Sequence, residues 1–453
     1  MLFFLMLSIR LICIMDFKIS YTNKEITPWS GMVFLKRMMD KMGFRDVIKS
    51  CPLLPKSGSN RGYSSVAILE TFFLSIWCGA NKFIHTEITR ADHALGKIFE
   101  REKTPGNDAI KRFFRKFTME TNDKVSHHFF SWILGQVNFN HFTLDFDSTI
   151  LSRFGEQEGA KKGYNPKKKG RPSHHPLMAF VADVNLIANF WLRSGDTSSS
   201  NNFKAFLDDT ITKIKEKTIG LIRMDSGFFA DDILKTMEEK AINYIVAVKF
   251  YKPIQKTISL QQNWIPVDTG IEIAETMYQA ESWQSPRRIV MVRQKMADKP
   301  TAIGKTLSIF EGTEFYRRHR YTAYVTSMKL SSVEVWRLYR GRADSENRIK
   351  ELKADFGLQG FNLNEFYPTE AALIMVMIAY NLMAIFRMFI LKSEVQHTLS
   401  TLRFKTLAIG AYFEKVNNEI HLKIALAKKR RKWFDGLWNK SKEFNTPFVF
   451  SNA

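Results

Sequence analysis

Cysteine is scarce in this chain. Its 453 residues hold three, Cys13, Cys51 and Cys78, with no C-x-x-C spacing. That excludes a zinc knuckle and a disulfide framework, and an odd, dispersed set of thiols suits a reducing cytoplasmic compartment. The sequence also lacks H-E-x-x-H, G-x-S-x-G and zinc-finger spacings, so no zinc-protease or serine-hydrolase motif is on offer. A G-K-T at 304–306 has Lys299 where a phosphate-binding loop needs its earlier glycine, and is discarded. There is no internal repeat and no low-complexity tract.

Acidic residues are in deficit: 45 Asp+Glu against 67 Lys+Arg, a formal charge of +22. Such an excess selects a polyanionic partner, nucleic acid before any other. Two apolar runs invite a membrane reading and neither sustains it. The N-terminal "MLFFLMLSIRLICIMDFK" has no basic n-region and no small-residue cleavage site, and Arg10 interrupts it. Met15 reads as the start, with the first 14 residues an upstream extension. The run at 371–391 contains Asn381 and Arg387 and has no comparable second span, which favours a helix buried in a protein core and no membrane partner.

What is present divides the chain into five regions. Residues 1–136 read as a helical, DNA-binding region, with "SSVAILETFFLSIWCGA" opening on a serine cap. In "PGNDAIKRFFRKF" the bases Lys111, Arg112, Arg115 and Lys116 suit either DNA or a solvated face over Phe113, Phe114 and Phe117. Residues 137–250 follow a β-β-β-α-β-α-β order, which implies a mixed sheet flanked by helices. In "HFTLDFDST", Phe142, Leu144 and Phe146 alternate with Thr143, Asp145, Asp147 and Thr149. Residues 251–335 read as a β-rich insertion with three strand candidates, 336–395 as the second part of the core, and 396–453 as a basic C-terminal region containing "KKRRKW".

The segment "YRGRADSENRIKELK" (339–353) places one glutamate among many bases. On a single helix Tyr339, Arg342, Glu346 and Lys353 share one stripe, with Leu338, Ile349, Leu352 and Phe356 on a packing edge beside it. An exposed Arg342–Glu346 pair at i,i+4 is the plain reading. A second reading joins Glu346 to Asp147 and Asp225, each ending a strand where a sheet edge opens to ligands. Three hard carboxylates from two strands and a helix suit two divalent cations for phosphodiester chemistry. Asp231 and Asp232 fit the start of the following helix and are read as structural.

These residues resemble the DDE transposases of bacterial insertion sequences, in the branch with the Tyr-x2-Arg-x3-Glu-x6-Lys signature, the 1380-type elements. The signature aligns with Tyr339, Arg342, Glu346 and Lys353; "LDFDST" and "IRMDSGFF" look like the two aspartate strands. The resemblance covers roughly residues 140 to 390. It implies an RNase H-like mixed sheet with a β-rich insertion and an N-terminal helical domain. It implies Asp147, Asp225 and Glu346 as catalytic metal ligands for two Mg²⁺ ions, with Mn²⁺ able to substitute. It further implies a dimer on double-stranded DNA that cuts at inverted-repeat ends and joins them to target DNA. Asp145 stays open as the alternative first ligand.

Arg342 can grip a phosphate bidentately, Lys353 supplies a point charge, and Tyr339 can stack or donate to the backbone. The loop bases Lys161, Lys162, Lys167, Lys168, Lys169 and Arg171 are expected to track DNA, against a merely solvated loop. Trp264 and Trp283 suit core packing better than base stacking. The rival functions are an RNase H-like nuclease without joining activity and a catalytically inactive DNA-binding descendant.

Overall fold

The computed structural model describes residues 18–58, 62–166, 168–296, 319–393 and 395–449. The proposed start at Met15, Cys13, the G-K-T at 304–306 and Lys167 lie outside the described residues. Cys51 and Cys78 are both free thiols.

Helices α1 (Met32–Lys41), α2 (Ser65–Cys78), α3 (Asn107–Phe114) and α4 (Met119–Gly135) come first. The Ser64 hydroxyl caps α2 by accepting the Ala67 N–H at 3.1 Å. Aromatic rings fill the space between these helices: Phe72 meets Phe114 at 5.1 Å and Phe361 at 4.8 Å. In α3 and just beyond it, Phe113, Phe114 and Phe117 are buried while Arg112, Arg115 and Lys116 are exposed.

The core sheet begins with β1 (Phe142–Ser148), β2 (Leu177–Val181) and β3 (Leu186–Trp191). Helix α5 (Phe203–Ile214), β4 (Ile219–Met224), α6 (Asp231–Glu239) and β5 (Tyr244–Ala247) follow in the expected order. Strands β1, β4 and β5 are parallel, while β2 runs antiparallel to its two neighbours, β1 and β3. This is the expected RNase H-like mixed sheet flanked by helices. Phe142, Leu144 and Phe146 are buried on one face of β1, and Phe146 packs edge-on against Phe203 of α5.

After α7 (Lys252–Leu260), strands β6 (Ile265–Asp268), β7 (Ile271–Tyr278), β8 (Arg287–Lys295) and β9 (His319–Thr326) form a meander. Strand β9 pairs with β5, so these strands extend the core into one nine-stranded sheet, β6-β7-β8-β9-β5-β4-β1-β2-β3.

The segment at 339–353 is not the single helix its spacing suggests. It is α8 (Ser332–Arg340) and α9 (Ala343–Asp355), joined at Gly341–Arg342. The Arg342 N–H bonds the Tyr339 carbonyl at 2.9 Å and the Ser345 N–H bonds Arg342 at 3.0 Å, tightening the join into i→i+3 turns. Arg223 presses into it: its Nη1 donates to the Leu338 carbonyl at 2.5 Å, and a Cβ on Gly341 would lie 2.7 Å from that nitrogen.

Helix α10 (Phe366–Ile385) continues in wider turns to Leu391. Among the described residues Phe366–Leu391 is the one unbroken helix long and apolar enough to cross a membrane, and 89% of its apolar window is buried within the protein. Its polar interruptions have partners: the Asn381 amide bonds both backbone groups of Ile187 on β3, and Arg387 pairs with Glu351 at 2.5 Å. The chain ends in β10 (Ala411–Val416), β11 (Glu419–Ile424) and α11 (Lys428–Glu443). Strand β10 pairs with Ile26–Thr27, and Phe434 of α11 meets Phe34 of α1 at 4.7 Å, so the basic C-terminal region is folded onto the N-terminal helices.

Candidate active site

Strands β1 and β4 are parallel neighbours with Phe146 opposite Met224. The next residues are Asp147, still paired with Met178 of β2, and Asp225, just past the end of β4, so both lie at the carboxyl end of these strands. Asp225 Oδ1 accepts the Gly227 N–H at 2.8 Å, and a Cβ at 227 would sit 2.8 Å from Ser199 Oγ and 2.9 Å from Asp225 Oδ1, so a larger residue there would displace the Asp225 carboxylate or Ser199. Asp147 is buried. Its Oδ1 accepts the Ser148 N–H at 2.8 Å, and its Oδ2 faces Arg342 Nη2 at 2.9 Å and the Ser345 hydroxyl at 3.4 Å.

Burial pushes the Asp147 carboxyl up to about 6; Arg342 opposes this, while Asp225 and Glu346 add to it as like charges. Burial works against the Arg342 charge, but Asp147, Tyr339, Asp225 and Asp145 outweigh it and hold the guanidinium protonated. Asp225 and Glu346 thus act on Asp147 as like charges, and Arg342 is the cation that faces it.

Glu346 is exposed, one turn beyond Arg342 on α9. The exposed Arg342–Glu346 pair of the plain reading is not formed: Arg342 is buried and pairs with Asp147. Tyr339 packs its ring 4.3 Å from that of Tyr324, and burial raises its hydroxyl pKa. Lys353 Nζ donates to Thr149 Oγ1 at 2.5 Å and to the Ile150 carbonyl at 3.1 Å, gripping the chain where β1 ends. Arg342 and Lys353 therefore bind the protein's own first-aspartate strand and the turn after it, rather than standing free for phosphate.

Asp145 is fully buried against Arg223, its partner in register on β4, with two bonds of 2.6 and 2.8 Å. Both its oxygens are taken by one guanidinium, which leaves Asp147 as the carboxylate at the sheet end. In the loop after β1, Lys168 and Arg171 lie over the Phe154 ring at 4.7 and 4.8 Å, Lys169 and Lys162 are exposed, and Lys161 pairs with Asp196 at 3.3 Å. Trp283 is buried beside Phe229 and Tyr278, and Trp264 packs on Tyr321. Asp231 pairs with Arg287 at 2.7 Å and with Lys235 at 2.9 Å.

Sequence reasoning missed Arg223, Ser345, Ser199 and His175. His175 bonds the Thr197 carbonyl at 2.6 Å, with its pKa lowered by burial. Only Ser345, inside the 339–353 segment and one helical turn from Arg342, carried a spacing signal.

The donor chemistry at this site suits a hard divalent cation: carboxylate oxygens from Asp147, Asp225 and Glu346, with like charges on the latter two raising the first. Among the described residues no three such side chains stand close enough to share an ion, and the cation beside Asp147 is Arg342.

A family model described as "Transposase DDE domain group 1" matches residues 15–442. No curated protein is similar enough in sequence to match. The chain is similar in structure to a piggyBac transposase synaptic complex with hairpin DNA, at 12% identity and a TM-score of 0.47, over 84% of this chain and 81% of that one.

Proposed function

The chain belongs to the transposase DDE domain group 1 family, and from that premise we propose that it cuts and joins DNA at the inverted-repeat ends of its own element. The observation that carries this is the pairing of Asp147 and Asp225 at the ends of adjacent parallel strands, with α9 delivering Arg342 onto Asp147 and Glu346 beside it. Asp147, Asp225 and Glu346 would hold divalent cations, Mg²⁺ foremost. Bound there, such ions supply an activated oxygen nucleophile and stabilise the leaving oxygen.

The protein's own residues set up the rest. Ser148 N–H and the Gly227 turn orient the two aspartates before substrate arrives. Lys353 fixes the turn after β1, so the Asp147 backbone cannot drift from β4. Arg342 neutralises the buried Asp147 carboxylate, and its planar fork would be available to a backbone phosphate if a cation held that carboxylate instead. Lys168, Lys169 and Arg171 follow the duplex away from the cut.

The test is a joining assay with end DNA and a supercoiled target plasmid. Transposase activity predicts cleaved ends and branched or linear joined products in Mg²⁺, all lost in Asp225→Asn. Cleavage without joined products would replace this reading with a plain nuclease. Inverted repeats bracketing the gene, with a short target duplication, would support the reading independently.

A further inference from the structure

We propose that a cavity at the start of α11 is a second DNA-contact surface, taking the duplex flanking the cleaved end. The cavity has a volume of about 580 Å³, and its lining includes His397, Leu402, Phe404, Lys405, Arg430 and Trp433. Two of its aromatic rings are open, Phe404 at 80% and Trp433 at 38% exposure. Arg430 lies over the Trp433 ring at 4.8 Å and donates to the Lys405 carbonyl; Lys405 Nζ is 3.3 Å from His397 Nε2. No carboxylate is among the described lining residues.

The charge at this edge is costly for the helix that bears it. Lys428, Lys429, Arg430, Arg431 and Lys432 occupy the first five positions of α11, with no acidic residue in the first turn and no side-chain cap. Cations at a helix N-terminus oppose the macrodipole. Among the described residues none of the five pairs with a carboxylate, whereas Lys423 on the preceding strand does. A run of cations with no carboxylate partner, beside the lining bases Lys405 and Arg430, suits a polyanion, and the exposed rings between them suit the sugar edges of a duplex backbone.

Its position follows from α9. The Glu351 carboxylate accepts the Leu399 N–H, and Asp355 accepts that of Ser400, so the short helix Leu399–Leu402 behind the cavity is bound to the far end of the Glu346 helix. Asp355 stands nine residues beyond Glu346, about 13 Å along the axis. The cavity is thus tied through Leu399–Leu402 to the helix that carries Glu346.

This inference rests on the transposase reading, and the experiment separates the two. Binding of a fluorescein-labelled duplex to the full chain is measured by anisotropy over a salt series, for the wild type and for Lys405→Ala with Arg430→Ala. Loss of two phosphate contacts should make the log K against log salt slope shallower by about two and weaken binding on every sequence alike. In parallel, Phe404 is replaced by the photoreactive p-benzoylphenylalanine, and irradiation should attach labelled duplex at that position. Unchanged slope with no DNA adduct, or an adduct to a second copy of the chain, overturns the surface while leaving the active-site proposal intact. A wild type with no salt-dependent DNA affinity at all would defeat both.

Discussion

Arg342 Nη2 lies 2.9 Å from Asp147 Oδ2, and both side chains are buried. The residues are far apart in sequence, and the bond docks the turn between α8 and α9 onto the end of β1. Removing one partner of a buried pair strands the other charge. Arg342→Ala should therefore lower unfolding stability by about 3 kcal/mol in chelator, and Mg²⁺ should restore part of that loss, since the cation takes over from the guanidinium. Thermal unfolding with and without Mg²⁺ reads both effects. A variant as stable as wild type in chelator would show that the pair is incidental.

Asp145 and Asp147 are two residues apart on one strand face and should behave oppositely. Asp145→Ala leaves Arg223 buried without its carboxylate and releases the turn that Arg223 holds at Leu338. The expected cost is about 3–5 kcal/mol in a denaturant melt. Asp147→Asn should keep the fold and abolish strand cleavage. A stable Asp145→Ala protein that cannot cut, beside an Asp147→Asn protein that can, would exchange the two roles.

The alternation in 142–149 and the aspartate ending each strand made the sheet and two of the three proposed ligands legible in the sequence. Helical spacing put Tyr339, Arg342, Glu346 and Lys353 on one stripe, and the structure sets Arg342 against Asp147 and Lys353 against the turn after β1. The spacing could not show the break at Gly341, because that depends on Arg223 arriving from β4. Nor could it show that Arg342 faces Asp147 and not Glu346, since helical periodicity ranks only local partners. The strands of the insertion were visible as short apolar runs, but edge-to-edge fusion through β9 and β5 is a register fact with no local trace. The same holds for α11, whose basic face hides the Phe434 and Leu437 that pack it down.

Asn381 was read as an interruption of an apolar run, and its job is to complete a sheet. Its amide supplies donor and acceptor to Ile187 on the edge strand β3. Asn381→Leu leaves two buried backbone groups unpaired and should cost about 2–4 kcal/mol in a urea melt. A change below about 0.5 kcal/mol, the range of ordinary surface substitutions, would contradict this role.

The loop after β1 offers a separate measure of DNA contact. Lys168 and Arg171 flank Phe154, which is 72% exposed. Replacing both bases with alanine should weaken binding on all sequences and flatten the salt slope by about two, with thermal stability unchanged. An unaltered slope would make this a solvated loop.

In the proposed site Glu346 completes the metal ligands begun by Asp147 and Asp225. Glu346→Gln keeps size and helix propensity, and because Glu346 is exposed its unfolding stability should stay within about 0.5 kcal/mol of wild type. The decisive measurement is the single-turnover rate of strand cleavage on labelled end DNA in Mg²⁺. Glu346→Gln, fully folded and binding DNA as wild type does, should cut several orders of magnitude more slowly. A Glu346→Gln protein cutting at close to the wild-type rate would contradict that ligand role, and α9 would then be a charged helix that serves only to hold Arg342 on Asp147.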